Sequence, residues 1–247
     1  MNTPYTKFVV LASQRTGSSW LMDLLNQQPR SEAFGELFLP QHQTSPGVLS
    51  NTYPRFIDWK PTGRLARRLR TFSYCDGLYS RSAIVGFKLM YSQLKVYPEL
   101  LVYFKLKQIR LVHLVRRNDL DTVVSEQLAA STGVFHRRSN GQHSDVANLR
   151  LDPAHVVRRV RRLRRTKQTA RWLIQIGGLC SKEVAYEDLV AQPEALERIT
   201  AYLGMHSDAS RESHLRRVRR QPLDMLISNY AEIAAALRIA GLGDLLD

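Results

Sequence analysis

The run Phe8-Val-Val-Leu-Ala-Ser-Gln-Arg-Thr-Gly-Ser-Ser-Trp-Leu21 sets the architecture of this chain. Its first five residues are continuously apolar, which is typical of a strand buried on both faces of a parallel sheet. From Trp20 to Asn26, leucines recur at helical spacing. Between the two, Arg15 to Ser19 combine one glycine with small hydroxyl side chains. The opening unit is therefore predicted to be a strand, a loop and a helix.

Three more apolar segments predict strands: Ile84–Leu89, Ile109–Val115 and Glu183–Tyr186. Each is followed by a polar turn and a helical pattern. Strands that alternate with helices form a parallel sheet with helices on its faces. The predicted fold class is α/β, with a central parallel sheet flanked by helices and a nucleotide-binding loop after the first strand.

The 247 residues fit one domain, spanning 1–247. Pro40–Tyr53 and Ser131–Asp152 are rich in polar residues, glycine and proline without clear periodicity, so they are predicted to be long loops. Loops of this length in a compact domain often act as lids or binding segments. We therefore expect lid or acceptor loops at 37–80 and 131–155.

The formal net charge of +14 favours anionic partners, but it does not distinguish a nucleic acid from an anionic small molecule or an acidic membrane surface. The longest apolar runs are too short to cross a bilayer. The N-terminus has no hydrophobic signal region, so a cytoplasmic protein is expected. Cys75 and Cys180 lie far apart without metal-ligand neighbours, and we expect neither a disulfide framework nor a metal.

Much of the positive charge lies between residues 158 and 171, on a predicted amphipathic helix. Apolar residues recur there at helical spacing, at Val156, Val160, Leu163, Ala170 and Ile174. The cations between them are Arg158, Arg159, Arg161, Arg162, Arg164, Arg165, Lys167 and Arg171. A solvated basic face is one interpretation. Attraction of anions, or a contact between subunits, is the other.

The loop Arg15 to Ser19 is suited to an anion. A glycine and small residues at a helix start let backbone N–H groups and the positive end of the helix dipole approach a phosphate, and Arg15 adds a charged fork. An ordinary capped helix start is the alternative. The Walker A lysine and the dinucleotide-binding glycine pattern are both missing, which disfavours an ordinary NTPase and an oxidoreductase.

A second candidate anion site follows the third predicted strand. Arg117 stands at the strand end, and Ser125 follows eight residues later on a predicted helix. Ligands bind at the carboxyl ends of neighbouring parallel strands, so the two sites are expected to lie close together. A surface arginine without a ligand remains the alternative.

These two motifs resemble those of the PAPS-dependent sulfotransferases (PAPS is 3′-phosphoadenosine 5′-phosphosulfate). Ser13-Gln-Arg-Thr-Gly-Ser-Ser-Trp-Leu21 is similar to their 5′-phosphosulfate loop, and Leu114-Val-Arg-Arg-Asn-Asp-Leu-Asp-Thr-Val-Val-Ser125 to their 3′-phosphate motif. The segment Val184 to Glu194 resembles the strand and helix that follow. Arg15, where many animal enzymes have lysine, and a Gly35-Glu36-Leu37 turn resemble the bacterial branch, which includes trehalose 2-sulfotransferase and nodulation-factor sulfotransferase.

The resemblance implies roles for particular residues. Arg15 would stabilise the leaving phosphate and the transferring sulfuryl group, and Glu36 would be the general base, with His42 as the fallback. The other implied contacts to PAPS are Thr16, Gly17, Ser18 and Ser19 at the 5′-phosphate, Arg117 and Ser125 at the 3′-phosphate, and Trp20 and Tyr186 near the adenosine. The two aromatic residues could equally belong to the core.

Two parts of the chain leave alternatives open. The glycine-rich C-terminal segment of the cytosolic enzymes is absent, and Arg216, Arg217, Arg219 or Arg220 would have to replace it, or form solvated surface. Lys88 could line the site or simply cap a strand edge.

The implied activity is transfer of a sulfuryl group from PAPS, without a metal, to a hydroxyl of a small-molecule, carbohydrate or glycolipid acceptor. A kinase with an atypical phosphate loop and a basic nucleic-acid-binding protein are the alternatives, although no nucleic-acid motif supports the latter. The sequence is compatible with peripheral membrane contact and with a homodimer.

Overall fold

The computed structural model describes residues 6–40, 53–59, 66–132, 137–138, 149–205, 215–216 and 222–246. Its strands are β1 (Thr6–Ala12), β2 (Ser31–Glu36), β3 (Ile84–Met90), β4 (Arg110–Val115), β5 (Arg137–Arg138), β6 (Ser181–Ala185) and β7 (Leu215–Arg216). Its helices are α1 (Ser18–Asn26), α2 (Arg67–Tyr79), α3 (Tyr91–Val96), α4 (Glu99–Leu106), α5 (Asp119–Thr132), α6 (Pro153–Ile176), α7 (Tyr186–Ala191), α8 (Pro193–Tyr202), α9 (Leu223–Leu226) and α10 (Tyr230–Ile239), followed by a 3-10 turn at Gly243–Leu245.

Five strands form one sheet in the order β2-β3-β1-β4-β6, and every neighbouring pair in it is parallel. The chain leaves β1 towards β2 on one side of the sheet, whereas it leaves β4 towards β6 on the other side. The direction of connection therefore reverses between β1 and β4. In open parallel sheets, a crevice for ligands opens at such a reversal, outside the carboxyl ends of the two strands.

Helices cover both faces of the sheet. One face packs against α2, α4 and the C-terminal part of α6 through buried residues such as Tyr74, Phe104 and Ile174. The opposite face packs against α1, α7 and α8. A third apolar cluster joins α5, the first half of α6, α9 and α10. The predicted α/β class, with a central parallel sheet flanked by helices, is confirmed.

The four predicted strands are β1, β3, β4 and β6, with ends that differ by one or two residues. The strand predicted at Glu183–Tyr186 instead spans Ser181 to Ala185, and Tyr186 is the first residue of α7. The predicted amphipathic helix is α6, and its buried residues are Val156, Val160, Leu163, Ala170 and Ile174. Asp152 caps this helix, since its carboxylate accepts from the backbone N–H groups of Ala154 and His155.

Two expectations need correction. Glu36 does not stand on a turn, because it is the last residue of β2, an edge strand that the sequence patterns missed. The segment 37–80 is not loop throughout, because residues 67–79 form α2 and bury Tyr74 and Tyr79 in the core. Residues 41–52 and most of 133–148 lie outside the described residues.

Candidate active site

The two phosphate-type motifs meet at the reversal point of the sheet. The first follows β1 and leads into α1, and the second follows β4 and leads into α5. Because β1 and β4 are neighbours in parallel register, with Ala12 opposite Leu114, both loops emerge at the same edge of the sheet. The parallel pairing of β1 and β4 therefore confirms the prediction that the two motifs lie close together.

The loop after β1 adopts left-handed backbone at Arg15, with φ 61°, and at Gly17, with φ 78°. Gly17 is the N-cap residue of α1, so no N-cap side chain serves the helix start, and Thr16 Oγ1 donates to the carbonyl of Ser13 instead. A Cβ atom at position 17 would lie 2.3 Å from the ring of Tyr186. Only glycine fits here, and it leaves the N–H groups of the first helical turn available for an anion.

Arg15 joins the two motifs. Its Nε donates to Ser125 Oγ at 3.0 Å, across 110 residues of sequence. Arg116 supports the same junction, because its Nη1 donates to the carbonyl of Arg15 at 3.2 Å and its Nη2 to Asp121 at 2.6 Å. Burial, and then the positive charge of Arg116, lower the pKa of Arg15. Glu126 opposes this shift, and Arg116 is itself paired with Asp121, so the two guanidinium groups lie together with part of their charge already balanced by carboxylates.

Arg117 points elsewhere. Its guanidinium forms two hydrogen bonds with Asp188, at 2.6 and 2.7 Å, and its side chain is 62% exposed. The hydrogen bond to Asp188 raises the pKa of Arg117. Of the two predicted 3′-phosphate residues, the structure brings Ser125 to Arg15, whereas Arg117 lies with Asp188. Because the guanidinium of Arg117 is exposed, a phosphate can approach it and compete with Asp188.

Glu36 lies beside a buried lysine. Glu36 and Lys88 are register partners on β2 and β3, and Lys88 Nζ lies 2.9 Å from Glu36 Oε1. The same ammonium donates to Ser19 Oγ at 3.0 Å, which connects the carboxylate to the loop after β1. Gln93 Nε2 donates to the other carboxylate oxygen of Glu36 at 2.9 Å, and Gln93 Oε1 accepts from the backbone of Met90. The carboxylate is therefore held in one orientation.

The remaining predicted residues that the structure describes lie in the loop after β1, at the start of α1, or in the core directly below them. Thr16, Ser18 and Ser19 are buried. Trp20 and Tyr186 meet edge to face, with ring centroids 6.0 Å apart, and Tyr186 packs into the core beneath Gly17. An adenosine contact for either ring stays a prediction. His42 and residues 217–220 lie outside the described residues, and no side chain is described at Arg216.

Three residues that complete this site had no assigned role in the sequence prediction. The sequence predicts Lys88 only as a possible lining residue or strand-edge cap, and it predicts no role for Arg116 or Gln93. For Lys88 and Arg116 a signal exists, because each is a cation at the end of an apolar strand. Gln93 carries no such signal, since its contact with Glu36 depends on where α3 begins.

The arrangement places Arg15, Lys88 and the carboxylate of Glu36 at a single edge of the sheet. Arg15, Lys88 and the start of α1 can together bind a doubly charged anion. Glu36 adds a fixed acceptor for a proton at the same place. Such a site can stabilise charge that develops on a leaving phosphate while a neighbouring carboxylate receives a proton.

Comparison with known proteins finds several solved structures that are similar to this chain, and two of them are sulfotransferases. No family profile matches the chain, and no curated protein sequence matches it. Among solved structures, a sulfotransferase from Alicyclobacillus acidocaldarius is 15% identical, with a TM-score of 0.47, over 97% of this chain and 96% of that one. The sulfotransferase domain from the curacin biosynthetic pathway is 14% identical, with a TM-score of 0.44, over 95% and 98%. At such low values, the likeness carries no inference about substrate or mechanism.

Proposed function

We propose that this chain is a PAPS-dependent sulfotransferase. The observation that carries the proposal is the hydrogen bond from Arg15 to Ser125, which joins the two motifs that resemble the 5′-phosphosulfate loop and the 3′-phosphate motif of that family. Two anion-binding segments at one reversal point suit a donor with phosphates at both positions. The missing Walker lysine argues against ATP as the donor.

In the proposed reaction, the acceptor hydroxyl oxygen attacks the sulfur of PAPS in line with the bond to the 5′-phosphate. The new S–O bond forms as the bridging S–O bond breaks, and its electron pair stays on the phosphate of adenosine 3′,5′-bisphosphate. The hydroxyl proton passes to Glu36. Because Lys88 and Gln93 each bind one carboxylate oxygen of Glu36, the base is oriented before the acceptor arrives.

Arg15 and Lys88 share the charge stabilisation in this proposal. An ammonium has three N–H donors, of which Glu36 and Ser19 receive two in the structure. The third can reach the leaving oxygen of the phosphate. When Glu36 accepts the proton it loses its negative charge, so Lys88 becomes a stronger donor to the leaving group as the reaction proceeds.

Arg117 and Ser125 are proposed to select the 3′-phosphate. For this, the exposed guanidinium of Arg117 must turn from Asp188 to the phosphate. The acceptor class is proposed as small-molecule, carbohydrate or glycolipid, as the resemblance to the bacterial branch implies. A cytoplasmic location and a homodimer belong to the same proposal.

Thermal unfolding with nucleotides tests the donor. Adenosine 3′,5′-bisphosphate without magnesium is expected to raise the melting temperature, and ligand at one hundred times its dissociation constant would add about 2.7 kcal/mol of stability. Adenosine 5′-monophosphate serves as the control that lacks the 3′-phosphate. Stabilisation only by ATP with magnesium would identify a kinase instead, and no shift with bisphosphate would reject the proposal.

A further inference from the structure

The outer surface of α6 carries a continuous stripe of six exposed residues. Arg158, Arg162, Arg165, Thr169, Trp172 and Ile176 follow one another at steps of three or four. At about 100° per residue these positions share one side of the helix, over about 27 Å of its length. The stripe is basic in its first half and apolar in its second half.

The apolar end of the stripe is unusually exposed for its residue types. Trp172 is 57% exposed and Ile176 is 60% exposed. The residues that anchor this part of the helix, Ala170 and Ile174, lie on the opposite side and pack into the core. Trp172 and Ile176 are not members of the core clusters, and two exposed apolar side chains on one side of a helix are a candidate contact surface.

The neighbouring helix α4 also exposes apolar side chains. Its inner residues Leu100 and Phe104 belong to the core cluster that also contains Ile174, so α4 and α6 cover the same face of the sheet. Lys105 Nζ donates to the carbonyl of Gly178, just after α6, at 2.6 Å. Outward on α4 stand Val102 and Leu106, which are 54% and 67% exposed. The helical layer on this face thus presents apolar side chains from two adjacent helices.

The basic end of the stripe has few close acidic partners among the described residues. Within the part of the chain that the structure describes, neither Arg162 nor Arg165 has an acidic partner. Arg158 meets Asp152 only at 3.8 Å, and both side chains are largely exposed. Cations of this kind attract an anionic surface, and they do so from the same side of the helix as Trp172.

We propose that this face, defined by the α6 stripe together with Val102 and Leu106, binds the surface of a bilayer that contains anionic lipids. Tryptophan and aliphatic side chains enter the boundary between headgroups and acyl chains, while arginines on the same side contact lipid phosphates. A nucleic acid would use the arginines but would gain little from Ile176, Val102 and Leu106. None of the helices in the described ranges has the length and apolar character to cross a bilayer.

Vesicle sedimentation tests the proposal with the full chain. Binding is expected to vesicles of equal parts phosphatidylcholine and phosphatidylglycerol, to weaken as salt rises, and to be much lower with phosphatidylcholine alone. Arg162→Gln with Arg165→Gln should reduce partition onto the anionic vesicles by about 30-fold. Trp172→Ser with Ile176→Ser should reduce it by about tenfold or more.

Matched controls lie on other faces of the molecule. Arg30→Gln with Arg198→Gln removes the same charge next to α1 and on α8, and Val190→Ser removes an exposed apolar residue from α7, all on the opposite face of the sheet. Neither control should change partition by more than about twofold, since the electrostatic effect is local. Each variant should also keep the melting temperature of the unaltered protein, because the replaced side chains are exposed.

A spectroscopic measurement adds an independent readout. Trp172 fluorescence should shift to shorter wavelength on anionic vesicles, and Trp172→Phe should lose that shift, although Trp20 and Trp59 remain. Equal losses in the stripe variants and the controls would overturn the proposal, as would absence of binding to anionic vesicles. A change of oligomeric state in the Trp172 variants, or tighter binding to duplex DNA than to vesicles, would assign the face to a second copy or to a nucleic acid.

Discussion

The ammonium of Lys88 lies 2.9 Å from Glu36 Oε1, in the register pair that joins β2 to β3. Both side chains are mostly removed from solvent, at 6% and 16% exposure. Removal of one partner leaves the other as a poorly solvated charge, which lowers the stability of the fold. Removal of both partners lowers it less. The pair therefore links the stability of the fold to the chemistry proposed for the site.

A double-mutant cycle measures this link. Lys88→Met and Glu36→Gln are each expected to lower the free energy of unfolding by about 2 to 3 kcal/mol, and the double variant by less than the sum, with a coupling of about 1 to 3 kcal/mol. Urea unfolding provides the values. The pair Lys107 and Asp76, 3.0 Å apart but more than 40% exposed, is the matched control and should couple by less than about 1 kcal/mol. Equal coupling in both pairs would show that burial of the Lys88 pair is unimportant.

Turnover distinguishes a base from a merely structural carboxylate. Glu36→Gln keeps the size of the side chain but removes the proton acceptor, so kcat should fall by about 100-fold or more while adenosine 3′,5′-bisphosphate still binds. Labelled PAPS with a panel of hydroxylated sugars, glycolipids and phenols gives the rate. Glu32→Gln is the control on the same strand, where the carboxylate binds Arg81 and Ser82. Near-normal turnover in Glu36→Gln would move the base to another residue, with His42 the next candidate.

Selection of the 3′-phosphate depends on Arg117 in the proposed function. Arg117→Ala should weaken PAPS binding by about tenfold or more, since a charge-assisted hydrogen bond is lost, yet leave adenosine 5′-phosphosulfate nearly unaffected. Asp188→Asn removes the carboxylate that holds the arginine, so PAPS binding should be retained or improved. Isothermal titration with both nucleotides gives the comparison. Equal losses for the two nucleotides in Arg117→Ala would contradict the assignment.

The pH dependence of stability has a defined source in His113. Its Nδ1 donates to Glu183 at 2.9 Å and its Nε2 accepts from the Tyr91 hydroxyl at 2.6 Å, because the carboxylate can only accept. Burial lowers the pKa of His113; Glu183 opposes this shift, and the charges of Arg171 and Lys167 add to it. The folded state thus binds the proton less readily than the unfolded chain, whose pKa is about 6.5.

Stability from His113 is therefore present above pH 6.5 and is lost as the pH falls below it. Between pH 7.5 and 5.5 the loss from this residue is at most about 1.4 kcal/mol. Urea unfolding at the two pH values measures the change, and His113→Gln should flatten it. His155→Gln, at an exposed position on α6, should leave the change as it is. A slope that His113→Gln does not alter would assign the pH dependence to other groups.

The core strands were predictable from the sequence because β1, β3 and β4 are buried on both faces and are mostly apolar, with Lys88 and His113 the polar residues inside β3 and β4. β2 was not, since Ser31-Glu-Ala-Phe-Gly-Glu36 is an edge strand whose apolar content is limited to Ala33 and Phe34, with a register shift near Gly35. The contact of Glu36 with Lys88 depends on the order of the strands across the sheet, which local patterns do not contain. Residues close in sequence to a motif were therefore found more readily than residues that strand pairing brings to it.

Gly17 provides a test of the loop geometry. Gly17→Ala introduces a Cβ at φ 78° and within 2.4 Å of two atoms of the Tyr186 ring, so the loop or the ring must move. Gly241→Ala is the matched control, because it has φ 71° but nothing within 4 Å of the added atom. The left-handed backbone alone should cost about 1 to 2 kcal/mol in both variants.

The difference between the two variants isolates the contact with Tyr186. Gly17→Ala should lose more stability than Gly241→Ala, and only Gly17→Ala should lose the stabilisation by adenosine 3′,5′-bisphosphate, because displacement of the loop moves the N–H groups at the start of α1. Thermal unfolding with and without the nucleotide measures both effects. If Gly17→Ala keeps the nucleotide shift while losing stability, the loop packs against Tyr186 as described, but its backbone is not what binds the phosphate.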